Sequence, residues 1–113
     1  MRWITTTGFA NLYERLVNTK PSAKRIAHRL EQIRSAMLAL LGEEGAARYP
    51  QVVRRIQFSA DEMALWYARS ELMAALADLY GEEAAHRRVA RQTILFKGLV
   101  PRSMVARATL DRG

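Results

Sequence analysis

The stretch EMALWYARSELMAALADLY, residues 62–80, decides how the rest of the chain is read. At helical spacing, Met63, Trp66, Tyr67, Met73, Leu76, Ala77 and Tyr80 cover one broad face. Leu65, Leu72 and Leu79 open a second. A helix that is apolar on two sides is touched on two sides, which makes this segment the central helix of a bundle. Its ends are marked. Ser59-Ala60-Asp61-Glu62 has the pattern of a capping box, with Ser59 as the N-cap and Glu62 reaching back. Phe58, before the cap, is placed to staple onto Met63, and Gly81 stops the helix.

Working outward, Glu82 opens a further helix that runs to Phe96 or Lys97 and is ended by Gly98 and Pro101. Ala85, Val89, Gln92 or Thr93, and Phe96 mark its inward side. Upstream, Ala23, Ile26, Leu30, Ile33, Met37 and Leu40 step by 3 and 4 residues between Pro21 and Leu41. That is the a/d seam of a coiled coil or an antiparallel bundle, too short for a long free coiled coil, and Gly42 ends it. PQVVRRIQF, residues 50–58, reads as a short helix opened by Pro50, burying Val52, Val53 and Ile56 with Arg54 and Arg55 outward, with a strand as the alternative because the same three residues favour β structure. EEGAARYP, residues 43–50, reads as a connection or a single turn, because Gly45 opposes anything longer. A first helix is expected over Gly8–Asn18, capped by Thr7 and striped by Phe9, Leu12, Tyr13, Leu16 and Val17. Residues 1–7 are expected to be an arm and residues 102–113 a loosely held tail. The expectation is a single all-α domain over residues 1–113. It is a compact four- to five-helix bundle with antiparallel packing, which a second copy could complete.

Composition narrows the chemistry. The absence of cysteine removes disulfides, thiolate metal sites and cysteine nucleophiles, and agrees with a cytoplasmic protein. No apolar run is longer than the six residues of Ala36–Leu41, far too short to span a bilayer, so no membrane partner is expected. The net charge of +7 is unevenly spread: residues 1–42 carry +5, residues 43–83 carry −4 and residues 84–113 carry +6. Six of the acids stand in pairs at expected helix starts, where carboxylates suit the helix dipole. Fifteen of the eighteen basic residues are arginine, the better partner for phosphate or carboxylate.

Catalytic patterns fail one by one. Glu83-Ala-Ala-His86 has the E-x-x-H spacing of di-iron bundles, but no second such motif accompanies it. Neither a nucleophile elbow nor a phosphate-binding glycine loop is present. No enzyme, cofactor or metal site is expected. The remaining reading is a non-enzymatic helical protein–protein interaction module, an adaptor or regulator, homodimeric and engaging another protein. Its candidate face is Met63, Trp66, Tyr67, Met73 and Tyr80. The alternative is a nucleic-acid-binding accessory protein that contacts phosphates through Lys24, Arg25, Arg29, Arg87, Arg88 and Arg91. A helix-turn-helix is not part of that alternative. Setting Gly81 at the turn puts Glu82 and Arg87 where apolar residues belong, and setting Gly98 there puts Pro101 inside the turn.

Overall fold

The computed structural model describes the backbone of residues 22–111 and the side chains of residues 22–108. The helix expected over Gly8–Asn18 and the N-terminal arm lie outside these residues. Five α-helices follow in order: α1 (Ala23–Arg48), α2 (Pro50–Gln57), α3 (Glu62–Tyr80), α4 (Glu82–Thr93) and α5 (Arg102–Asp111). A single 3-10 turn, Ile94–Phe96, extends α4. No strand occurs among the described residues, so the fold is an all-α bundle.

Side-chain pairings fix the directions. Tyr49 bonds Asp78 and Arg55 pairs with Glu71, so α2 runs antiparallel to α3. The rings of Trp66 and Phe96 meet while Tyr80 and Glu82 flank the one-residue joint, so α4 also runs antiparallel to α3. Helix α3 packs against α1, α2 and α4 together and is the central helix, as its two apolar faces require. It buries Leu65, Leu72 and Leu76 completely. Each such side chain contributes about 1.5–3 kcal/mol by leaving water.

Helix α1 departs from the expected seam. Its buried residues are Ile33, Met37, Leu41 and Gly45, spaced by four, while Leu30 and Leu40 are only partly covered and Ala23 is exposed. A row of residues four apart is one of the ridges that interlock between globular helices, rather than the narrower heptad stripe. Gly42 interrupts the helix with φ 73° and ψ −179°, but helix resumes through Arg48. Gly45 does not oppose this extra turn. It permits close packing, because a Cβ there would lie 2.9 Å from Leu41 and 3.1 Å from Leu79.

The start of α3 also differs. Asp61, not Ser59, is the N-cap, and its Oδ1 accepts the Ala64 N–H at 2.9 Å. Ser59 is buried and donates to the Arg55 carbonyl at 2.7 Å, terminating α2 instead. Phe58 is 77% exposed, so the staple to Met63 is not made. Asp61→Ala is therefore expected to cost about 1 kcal/mol in urea unfolding, with Asp61→Asn retaining most of the stability.

The expectations for α2 and α4 match the structure. Val52 and Ile56 are buried, Val53 is half-buried, and Arg54 and Arg55 are exposed. On α4, Ala85, Val89, Gln92 and Thr93 face inward, followed by Phe96. The C-terminal stretch forms α5, which folds back on α4 and buries Val105.

Candidate functional site

The Met and aromatic residues of α3 do not share one open face. Trp66 is buried, with the Phe96 ring edge-on at 5.1 Å and 86°. The Arg69 guanidinium lies 3.9 Å over the Trp66 ring. Met63 and Met73 are half-buried. Tyr80 is 45% exposed beneath Arg88, whose guanidinium sits 4.2 Å from the ring centroid. Tyr67 points away from Trp66 and is 57% exposed. It heads a solvent-facing row with Ser70, Glu71, Ala74 and Asp78, spaced by 3, 1, 3 and 4 residues. Adjacent aromatics stand about 100° apart on a helix, so one can serve the core and the other the surface.

The later residues of this row, Glu71, Ala74 and Asp78, line a groove of about 700 Å³ between α2 and α3. Val52 and Ala75 are buried at its base, with Ala74 beside them. Arg54 and Arg55 line the α2 side, and Glu71 and Asp78 line the α3 side. Arg55 reaches Glu71 at 3.4 Å, and Asp78 is held by both Arg48, at 3.6 Å, and the Tyr49 hydroxyl. These ion pairs are half-exposed, so each contributes little to stability and is free to exchange partners. The groove was not legible as a site, because small residues form its base and charges resembling a solvated face form its walls.

The basic residues divide by occupation. Arg29 donates to the carbonyls of Leu95, at 3.1 Å, and Lys97, at 2.6 Å, tying α1 to the end of α4. Ala36 and Leu40 border the same surface as Arg88, Arg91 and Leu95, so α1 and α4 lie side by side and antiparallel. Arg87 pairs with Glu83 at 3.7 Å. Lys24, Arg25 and Arg91 are exposed and make no ion pair among the described residues. Arg34 turns inward, its side chain only 15% exposed. It bonds Glu31 at 3.0 Å and the Ser59 carbonyl at 2.7 Å, bracing the α2–α3 connection.

Glu83 is engaged with Arg87, while His86 lines a separate pocket with Trp66 and Arg69. No three His, Cys, Asp or Glu side chains converge among the described residues. None of the described helices is long and apolar enough to cross a membrane. No family model, curated protein or solved structure matches the chain.

Proposed function

We propose that the chain is a non-enzymatic helical interaction module that self-associates through the α2–α3 groove, serving as an adaptor or regulator of another protein. The observation that carries this reading is the division of charge across the groove. Arginines stand on the α2 wall and carboxylates on the α3 wall, above an apolar base. Around a two-fold axis running along the groove, the α2 wall of one copy meets the α3 wall of the other, so the surface is complementary to itself in that arrangement. Exposed Tyr67 stands one helical turn before Glu71 on the same helix and offers an aromatic anchor, the residue type that concentrates binding energy at interfaces.

Sedimentation of the full chain at micromolar concentration is expected to give twice the monomer mass, falling toward the monomer as salt rises. Ala74→Arg places a bulky cation at the exposed edge of the groove, where folding is not at stake. It is expected to weaken self-association at least ~100-fold, or about 2.7 kcal/mol, with helicity and thermal midpoint unchanged. A strictly monomeric parent protein, or a variant that dimerises as well as the parent, would refute the reading.

One observation favours a second reading. The antiparallel packing of α1 and α4 sets Arg88 and Arg91 beside Ala36 and Leu40 and brings Arg29 to the Lys97 end of α4, and Arg91, Lys24 and Arg25 remain uncommitted to carboxylates among the described residues. If this surface binds phosphates, affinity for a nucleic-acid duplex falls steeply with salt, and Arg91→Glu weakens it uniformly across sequences. Filter binding at low salt tests this directly. Retention that ignores both salt and Arg91→Glu rules it out.

A further inference from the structure

A second pocket, of about 400 Å³, lies where α5 folds back across α3 and α4. Its lining is Trp66, Arg69, Met73, His86, Met104, Arg107 and Ala108, so three basic side chains share it with an apolar surface. No carboxylate among the described side chains lines it. Arg34, Arg48, Arg55 and Arg87 each reach an acid, whereas Arg69 and Arg107 pair with none among the described residues.

Arg69 is the centre of the imbalance. It has no acidic residue three or four positions away on α3, and its Nε is buried without a hydrogen-bond partner. Burial holds its guanidinium pKa below the ordinary arginine value. Its close stacking over Trp66 offsets part of the cost of removing the charge from water. A buried donor without an acceptor still costs free energy, and an anion supplying one recovers it. The volume falls within the range of small-ligand pockets, which are mostly apolar with a few convergent polar groups.

We infer that this pocket binds a small monocarboxylate with an apolar tail, the carboxylate toward Arg69 and Arg107 and the tail along Met73, Met104 and the Trp66 ring. The arginines recognise the charge, as guanidinium groups match carboxylates in geometry. The thioethers adapt to the tail. His86 lines the same cavity and adds a further nitrogen donor.

Calorimetric titration of the full chain with octanoate, 1-octanol and acetate tests each half of the inference. Octanoate is expected to saturate one site per chain and to shift Trp66 emission. Octanol and acetate, lacking charge or tail, are expected to bind at least tenfold more weakly. Arg107→Gln lies on an exposed position and is expected to keep the fold by circular dichroism while weakening octanoate at least tenfold. Arg69→Gln is expected to do the same or more, and Arg107→Gln carries the test if Arg69→Gln does not fold. Octanol binding equal to octanoate reduces the pocket to an apolar cavity and overturns the proposal. Acetate binding equal to octanoate, octanoate affinity unchanged in Arg107→Gln, or no octanoate binding at all does so too.

Discussion

Replacing Phe96 by alanine is expected to remove about 3–5 kcal/mol of stability, the usual cost of emptying a large aromatic site in a packed core. The ring is fully buried at the turn where α4 gives way to the C-terminal part of the chain. It stands edge-on to Trp66, an arrangement that adds about 0.5–1.5 kcal/mol beyond burial alone. A domain of this size has about 5–15 kcal/mol in total, so the variant stands close to the folding threshold. Urea unfolding followed by tryptophan emission measures the loss, and near-ultraviolet dichroism reports the loosened Trp66. Phe58 supplies the control. It is exposed and makes no staple, so Phe58→Ala is expected to stay within about ±0.5 kcal/mol. Equal losses at the two positions would mean that the α3 N-terminus is stapled after all.

That pair of phenylalanines shows where sequence reasoning succeeds and where it stops. Phe96 falls on the inward side of an amphipathic pattern four residues from Gln92, and periodicity alone places it inside. Phe58 precedes Ser-Ala-Asp-Glu, a string holding two residues able to cap, Ser59 and Asp61. Local pattern favours Ser59. The choice is made by α1, whose Arg34 bonds the Ser59 carbonyl and holds that residue against the end of α2. The same limit applies along α1. The sequence is compatible with both a 3–4 seam and a row spaced by four, and only the shape of the facing helices selects Leu41 over Leu40.

Candidate sites were harder to read for a related reason. The octanoate pocket joins Arg69, His86 and Arg107 from three helices, and it exists only because α5 returns to α4. The C-terminal segment carries too mixed a pattern to announce that return. The α2–α3 groove depends on Ala74 and Ala75, whose small size matters only once Val52 and the α2 arginines are placed opposite. Concavity is a property of packed pairs of helices, so it has no signature in either one.

The joint between α3 and α4 is where a small substitution is expected to cost most for its size. Gly81 has φ 93° and ψ 156°, a region that essentially only glycine occupies, so a side chain there costs about 1–3 kcal/mol. The backbone leaves no slack in which to relax. Its N–H donates to the Ala77 carbonyl at 2.8 Å, and its own carbonyl accepts the Ala85 N–H at 3.0 Å, closing both helices onto one residue. Nothing lies within 4 Å of a Cβ built at this position. The cost is therefore conformational, and Gly81→Ala and Gly81→Ser are expected to lose nearly the same amount. Gly45 is the counterpart, with ordinary helical backbone but Leu41 and Leu79 in the way. There the loss is expected to grow with side-chain size, from about 1 kcal/mol for alanine toward 3 kcal/mol for leucine, as overpacking displaces both leucines. Unfolding midpoints for the two series separate the causes: a loss that is flat at Gly81 and graded at Gly45 identifies strain at the joint and close packing under α3. A steep size dependence at Gly81 would show instead that the joint is crowded, and that α3 and α4 approach each other more tightly there than their geometry indicates.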